Sequence, residues 1–525
     1  MDSLGYTTFH TPSWTLRLRT FISEFCDLFS EFGGYIAPSY RHDRCERSVQ
    51  MRLYTLSKRQ FVLVFATFFL CFGITILIGL TGPAITEGSQ INATTLVPKV
   101  EDLRKGPFVL QSPPVSAYHQ QLWLIAQVNT DYNGDGKFEQ PFDVGIKIRG
   151  MLEESGSEVV YNNIVHNRSR VLRCGQKCDD LMLLHLGFLD YSRYIITVQF
   201  SKLQNMQYSI IDIKFLFNTY NPAFTQLEIW FRFVFLLLTF VSTVLFAHSL
   251  RRFSVRDWSM EQRWMSVLLP LLLLYNNPLF PLTFLVNSWV PGMFDALFQA
   301  TFLGTLLLFW LCLYHGVRQN KRRFCAFYLS KLIIVGLIWL TAVTLSSWQK
   351  YSELQDPTYN YRTDTANFMG FKVFFFIVGG VYLLYLVYLL VRAYAELRYM
   401  PYFDLRLKFM TALMLIVLAI SITIMVLRFG ISELQDNLMS EMTTHYQNSA
   451  EFLSFYGLLN FYLYTMAFVY SPSRNAAYES HFKDNPALSM LNDSDDDVIY
   501  GSDLEGEVAL TRKVRPVDSE EEAFN

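Results

Sequence analysis

The chain has 525 residues, of which 51% are hydrophobic, 16% aromatic and only 17% charged. That balance is too apolar and too poor in charge for a water-soluble protein, and it places the chain in a membrane. The formal net charge of −2 conceals a segregation, since basic residues gather beside the apolar runs and acids gather at the C-terminus, and no nucleic-acid partner is implied.

Residues 1–60 carry no secretory signal peptide, because the first apolar run long enough for insertion begins at Phe61. They are expected to form a cytosolic N-terminal segment. Within it Phe21, Phe25, Phe29 and Phe32 recur at helical spacing, which suits a packed helix or an amphipathic segment on the inner leaflet. Cys26, Cys45 and Cys325 lie near the inner surface, where free thiols or acylation sites would sit. Residues 61–80 then form the first span, an uncleaved signal anchor.

Residues 81–229 are long enough for one independent domain on the lumenal or extracellular side, and their texture is β. Leu122, Leu124, Ala126 and Val128 alternate with Trp123, Ile125 and Gln127; Phe142, Val144, Ile146 and Ile148 alternate with Asp143, Gly145, Lys147 and Arg149; Ile211, Ile213, Phe215 and Phe217 alternate with Asp212, Lys214 and Leu216. Period two at short intervals, with further strands near Val171, Leu183 and Ile196, predicts an antiparallel sandwich. Asn92 and Asn167 open N-glycosylation sequons. Cys174 and Cys178 are the domain's two cysteines and are expected to pair as a disulfide across a tight hairpin, because a redox-active pair or a zinc site would need partners that are missing. Asp131, Asn133, Asp135 and Gly136 match the opening of a calcium loop, but its twelfth position is Phe142 rather than a carboxylate. The segment therefore reads as a hairpin connection using Asn and Gly for positive φ, with weak calcium binding as the alternative.

Residues 230–470 hold seven further spans: Trp230 to Ser249, Trp264 to Val286, Phe294 to Tyr314, Leu332 to Trp348, Val373 to Val391, Phe409 to Leu427 and Phe452 to Tyr470. Arg and Lys crowd the loops at Arg251 to Arg263, Arg318 to Lys331 and Arg392 to Lys408, whereas the opposite loops carry few, so both termini are expected in the cytosol. Glu228 and Arg232, four residues apart, suggest an ion pair at the membrane interface. Trp289 and Trp348 suit an outer aromatic belt, and Gly379-Gly380 would permit close helix approach.

The span from Trp264 is broken in its middle by Asn276, Asn277, Pro278 and Pro281. Two prolines remove helical partners from backbone acceptors at a depth without bulk water, so the break must face other helices. Its amides either bond their own or a neighbouring backbone in a kinked helix or, with Tyr275, line a cavity. Tyr382 and Tyr385 on one span, and Tyr456, Asn460 and Tyr464 on another, supply polar-aromatic stripes that would complete such a cavity. No mid-bilayer Asp, Glu or Lys is found in these spans, and no hydrolase, phosphate-loop or potassium-filter motif, which disfavours charge-coupled transport and enzyme activity. No cofactor is implied beyond a bound phospholipid.

Residues 471–525 turn polar and acidic and read as a disordered cytosolic tail. Ser494, Ser502 and Ser519 precede carboxylates and are candidate phosphorylation sites that sorting adaptors would read.

The runs MRLYTLSKRQFVLVF from Met51, TYNPAFTQLEIWFRF from Thr219, WMSVLLPLLLLYNNPLFPLTFLVNSW from Trp264, HYQNSAEFLSFYGLLNFYLY from His445 and NPALSMLNDSDDDVIYGSD from Asn485 resemble the transmembrane protein 181 family. That family is similar in turn to the group in which a lumenal GOLD-like β-sandwich precedes a seven-helix bundle, with Wntless as a member. The resemblance implies residence in the plasma membrane, Golgi or endosomes, a carrier role like that of Wntless toward a lipid-modified secreted ligand, and exposure to a bacterial toxin at the cell surface. The expectation is thus an eight-span α-helical membrane protein with a lumenal antiparallel GOLD-like sandwich, serving as a trafficking receptor for secreted or lipid-modified cargo. A ligand-responsive seven-helix receptor or an ion channel is the alternative. Receptor signalling is weakened because the fourth span ends in Leu313-Tyr314-His315-Gly316 rather than an acidic-Arg-aromatic triplet.

Overall fold

A computed structural model describes residues 49–96, 103–132, 138–151, 158–160, 165–175, 178–206, 208–316, 327–359, 369–397, 408–409, 411–422, 448–473 and 476. The phenylalanines of the N-terminal segment, Cys26, Cys45 and Cys325, and Ser494, Ser502 and Ser519 lie outside them.

Helix α1 (Lys58–Leu80) starts where Ser57 and Gln60 form a reciprocal capping box. Strand β1 (Thr86–Asn92) follows, then β2 (Phe108–Gln111), β3 (Leu122–Thr130), β4 (Phe138–Met151), β5 (Glu158–Val160), β6 (His166–Cys174), β7 (Leu181–Leu186), β8 (Arg193–Ser201) and β9 (Ile210–Tyr220). They make two antiparallel sheets. One has the order β1-β9-β3-β7; the other runs β2-β8-β4, with β5 and β6 along the far edge of β4. Leu122, Leu124, Phe142, Ile146, Ile196, Phe215 and Phe217 are buried between the sheets, as the alternation predicts. Phe108 packs at 5.3 Å from Phe215 and 5.7 Å from Phe200, bridging the two layers. Each such ring stabilises the sandwich by about 2 kcal/mol.

Parity fails at one place. Ile211 is exposed and Ile210 takes its core position, because the β3–β9 ladder shifts register between Asn129 and Thr130. A bulge reverses facing, and apolar alternation alone does not locate it.

The segment after Asp131 is not a hairpin. β3 and β4 belong to different sheets, so the chain crosses between layers there; Asn133, Asp135 and Gly136 themselves lie outside the described residues. Turn residues announce a reversal but not which strand becomes the neighbour. Asp131 is engaged by the backbone N–H and hydroxyl of Ser209, which hold its carboxyl below the usual range, and Phe142 is buried in the core. Cys174 and Cys178 do form a disulfide. Asn167 lies exposed on β6 and Asn92 half-buried at the end of β1.

The membrane block contains α2 (Pro222–Leu250), α3 (Met260–Tyr275), α4 (Val290–Gly316), α5 (Leu329–Gln355), α6 (Met369–Leu397), α7 (Thr411–Ile422) and α8 (Ser449–Tyr470). Among the described residues, six of the eight helices α1 to α8 are long and apolar enough to span a bilayer; α7 is shorter, and α3 stops early and resumes as the turn Leu282–Leu285. Helix α2 begins well before Trp230, because Asn221 caps it and Pro222 occupies its first position. Hydropathy marks the apolar run, whereas the cap marks the helix.

Helix α8 is buried on nearly every side and forms the axis of the bundle. Helix α1 lies against it through small residues: a Cβ on Gly79 would fall 2.3 Å from Ala450 Cα, and one on Gly457 2.9 Å from Thr75 Oγ1. Gly379 and Gly380, expected to permit such an approach, face open space instead. A glycine pair offers closeness on any face of a helix, and the sequence does not say which face has a neighbour. At one end of the bundle Met51 pairs with Pro472, so the chain enters α1 and leaves α8 on the same side.

At the opposite end the β domain docks. Trp123, on the outer face of the four-stranded sheet, stacks on His185 at 5.5 Å and packs edge-on against Tyr220 at 5.3 Å. The loop after α5 reaches up to this face: Pro357 C=O accepts from the His185 backbone N–H at 2.7 Å, Thr358 C=O accepts from Arg170 at 2.7 Å, and Asp356 pairs with Arg168. Desolvation acts to raise the Asp356 pKa, but the bonds from Thr358 and Arg168 outweigh it and hold the carboxyl below the usual range.

A charged cavity at the junction of domain and bundle

Helix α3 ends at the Asn276-Asn277-Pro278 break. Asn277 adopts φ 48°, a left-handed conformation that Asn tolerates well. The freed backbone groups are satisfied locally: Asn277 N–H donates to Leu274 C=O at 2.8 Å, Leu279 N–H to Asn277 Oδ1 at 3.0 Å, and Phe280 N–H to Asn277 C=O at 3.1 Å. The helix therefore stops rather than kinks.

The two amides divide: Asn277 Oδ1 accepts from its own chain's backbone at Leu279, as the first reading expects, whereas Asn276 bonds side chains of neighbouring helices. Asn276, 1% exposed, donates through Nδ2 to Thr239 Oγ1 at 2.8 Å and to Asn460 Oδ1 at 3.1 Å, and Asn460 donates back to Asn276 Oδ1 at 3.2 Å. The Tyr464 hydroxyl joins at 2.7 Å from Thr239 Oγ1 and 3.2 Å from Asn460 Oδ1. Three helices, α2, α3 and α8, are thereby tied together in a closed network. Tyr275 closes its flank, stacked on Tyr456 at 5.3 Å and tilted against Phe302 at 4.9 Å.

Asn277 turns the other way and donates to Asp295 Oδ1 at 2.7 Å. Asp295 sits in the first turns of α4 and also accepts from Gln299 at 2.9 Å and from Arg232 Nη1 at 3.3 Å. Arg232 in turn donates through Nε and Nη2 to Glu228 Oε1 at 3.1 and 3.0 Å, and lies 4.2 Å over the Phe280 ring. The side chains of Glu228 and Arg232 are only 10% and 9% exposed. This pair is not at an open interface as its sequence position suggested; it is buried beneath the β domain, whose Gln120 reaches Thr225 at 2.9 Å and Glu228 at 3.4 Å. An arginine cannot shed its charge, so burial there requires two carboxylates and an aromatic face.

A cavity of about 170 Å³ borders this cluster. Glu228, Arg232, Phe280, Asp295 and Gln299 line one side, Ser346, Lys350 and Glu353 of α5 another, and Gln120, Gln121 and Gly187 of the β domain the roof. A second cavity of about 370 Å³ shares Gly187, Glu353 and Leu354 and extends outward past His185, Asp190, Asn287 and Pro357. Burial pushes the His185 pKa below its ordinary value, against the pull of Glu353 and with the push of Lys350.

The residues expected to line a cavity are thus distributed differently. Tyr275, Asn276, Tyr456, Asn460 and Tyr464 are packed in the closed network beside it; Asn277 reaches its wall through Asp295; Pro278 and Pro281 lie exposed on the rim of the break. Tyr382 donates to Leu307 C=O at 3.1 Å and Tyr385 stacks near Tyr388, both on α6 and neither on the cavity wall. Trp289 lines the cavity, while Trp348 is exposed. Asp295, Lys350, Glu353, Gln120 and Gln121 were missed. Only the Glu228/Arg232 spacing signalled the cluster. Among the described residues no group of three or more His, Cys, Asp or Glu is placed to hold a metal ion.

Residues 106–220 match the family described as TMEM181, GOLD domain, and residues 221–474 match the family described as Wntless-like, transmembrane domain. The boundary between the matches falls where β9 gives way to the cap of α2. Transmembrane protein 181 of Homo sapiens is 58% identical over 456 residues, which cover 87% of this chain and 94% of that protein. The chain accordingly belongs to the transmembrane protein 181 family, polytopic membrane proteins that join a GOLD domain to a Wntless-like helical bundle.

Proposed function

We propose that the protein is a membrane trafficking receptor, or chaperone-like carrier, that receives secreted or lipid-modified cargo at the junction between its β domain and its helices. One observation carries this reading: a cavity roofed by the domain and floored by the bundle, with a buried arginine held between two carboxylates at its edge. A site shared by two domains responds to both, so occupancy changes how they dock. The Wntless-like match of the helical region supports a carrier role by analogy of fold. In this reading the domain faces the lumen, both termini face the cytosol, Asn92 and Asn167 carry glycans, and the acidic tail with Ser494, Ser502 and Ser519 reports to sorting adaptors in Golgi, endosomal and plasma membranes. A bacterial toxin at the cell surface would meet the same domain.

The test is cross-linking of the full-length protein in secretory membranes, followed by purification, with Ser346→Phe as the comparison. Ser346 lines the cavity outside the ion-pair cluster, so a bulky ring there fills the space without removing a charge. Secretory proteins recovered with the wild type and lost with the variant support the carrier; identical recoveries sink it.

A further inference from the structure

We propose that this cleft selects a positively charged polypeptide segment, an inference that rests on the carrier reading and names the chemistry of its cargo. The two cavities adjoin at the shared walls Gly187, Glu353 and Leu354 and together lie along one path from the domain surface towards Arg232. Four carboxylates line that path: Asp190, Glu353, Asp295 and Glu228. Two permanent cations face them, Lys350 and Arg232. Both cations are already engaged, Arg232 by Glu228 and Asp295, and Lys350 by Glu353 at 3.4 Å. His185 does not restore the balance, because its ring is buried, stacked on Trp123 and bonded to Gln121. His166 also lines the outer cavity, where its ring faces Asp356 at 3.6 Å, and the charge of Asp356, outside the path, is answered by Arg168 as well.

The path is therefore net negative, and its outermost carboxylate, Asp190, is held by the neutral amide of Asn287 at 2.8 Å. An entering anion meets like charge, whereas an entering ammonium or guanidinium replaces lost hydration with carboxylate contacts. Tyr191, beside Asp190, adds an aromatic ring to the wall, a group of the kind that cations favour. A polypeptide suits the entrance better than a lipid amine. The outer cavity is walled mostly by the β domain, at His166 of β6, at β7 and in the chain after it, and by loops at Asn287 and Pro357; the helices contribute only the last turn of α5, Glu353 to Gln355.

The experiment measures binding of fluorescent short peptides, one lysine-rich and one glutamate-rich on the same neutral frame, to the full-length protein in phosphatidylcholine nanodiscs. The lysine-rich peptide is expected to bind, more weakly as salt rises, and the glutamate-rich peptide to fail. Asp190→Asn and Glu353→Gln, which keep shape and remove charge, should each weaken the lysine peptide by about fivefold. Equal binding of both peptides, no binding of the lysine peptide, or affinity indifferent to both variants overturns the proposal. If Ser346→Phe still abolishes cargo capture in that event, the carrier reading stands and only the charge selection falls.

Discussion

Asn276 and Asn277 are consecutive, chemically identical and set in the same helix break, yet they serve opposite structures. Asn276 enters a sealed network in which each partner is a neutral side chain on an adjacent helix. Asn277 holds Asp295 in a charged cluster that borders open volume. Neutral amides and hydroxyls can satisfy one another completely and pack shut, as Thr239, Asn460 and Tyr464 do here. A buried guanidinium demands carboxylates, and those leave an uneven charge and an irregular wall. In this molecule the neutral polar network ties helices together, while the charged cluster borders open volume.

The sharpest way to break this contrast is Arg232→Met. It strands Glu228 and Asp295, and should cost about 3–5 kcal/mol, read as a fall in thermal stability of the purified protein. A small change would mean that the cluster is solvated and not a built site. Asn460→Ala addresses the sealed half: it should cost about 1–3 kcal/mol, and the double variant with Asn276→Ala should cost less than the sum, because the pair is reciprocal. Additive costs would show that the two amides act independently.

Helix α1 also lies close against α8, at Gly457 about one turn from Asn460 and at Ala450 further along the same helix. Gly79→Ala should destabilise by about 1–3 kcal/mol because its Cβ would strike the Ala450 backbone. Gly380→Ala, facing open space, should be neutral or stabilising by about 1 kcal/mol. Equal effects would remove the distinction between the packed and the open glycines.

The smallest expected effect lies at the open half. His185 has its pKa lowered from 6.5 by burial, so the unfolded chain binds a proton more readily than the folded one. Stability from this group is complete above about pH 6.5 and is lost as pH falls below it. The melting temperature should therefore decline on mild acidification, with amide exchange rising first around His185 and Pro357. His185→Gln should flatten that slope; an unchanged slope would place the pH sensitivity elsewhere.

The spans, the sandwich and the disulfide were legible because each depends on short-range pattern: apolar length for a helix in lipid, alternation for a half-buried strand, two cysteines within one turn. The bulge at Ile211, the crossing from β3 to β4 and the helix seam at Gly79 were not, since each depends on which face finds a neighbour. The candidate site shows the same division. Glu228 and Arg232 announced themselves by spacing, but nothing local tells that Asp295, far along the chain at the start of another helix, completes the pair, or that Gln120 from a β domain roofs it.

From the sequence alone followed a membrane protein with a β domain before its bundle and a broken, amide-bearing helix, because hydropathy, periodicity and backbone hydrogen bonding act on neighbouring residues; the expected shielding of that break holds for Asn276 and Asn277 but not for Pro278 and Pro281, which are exposed. Only the tertiary structure decided that Asn276 enters a sealed network and that Asn277, itself buried, holds Asp295 on the wall of a charged cavity. Burial, pairing and enclosed space arise between elements distant in the chain, and the same amide satisfies its hydrogen bonds in either setting.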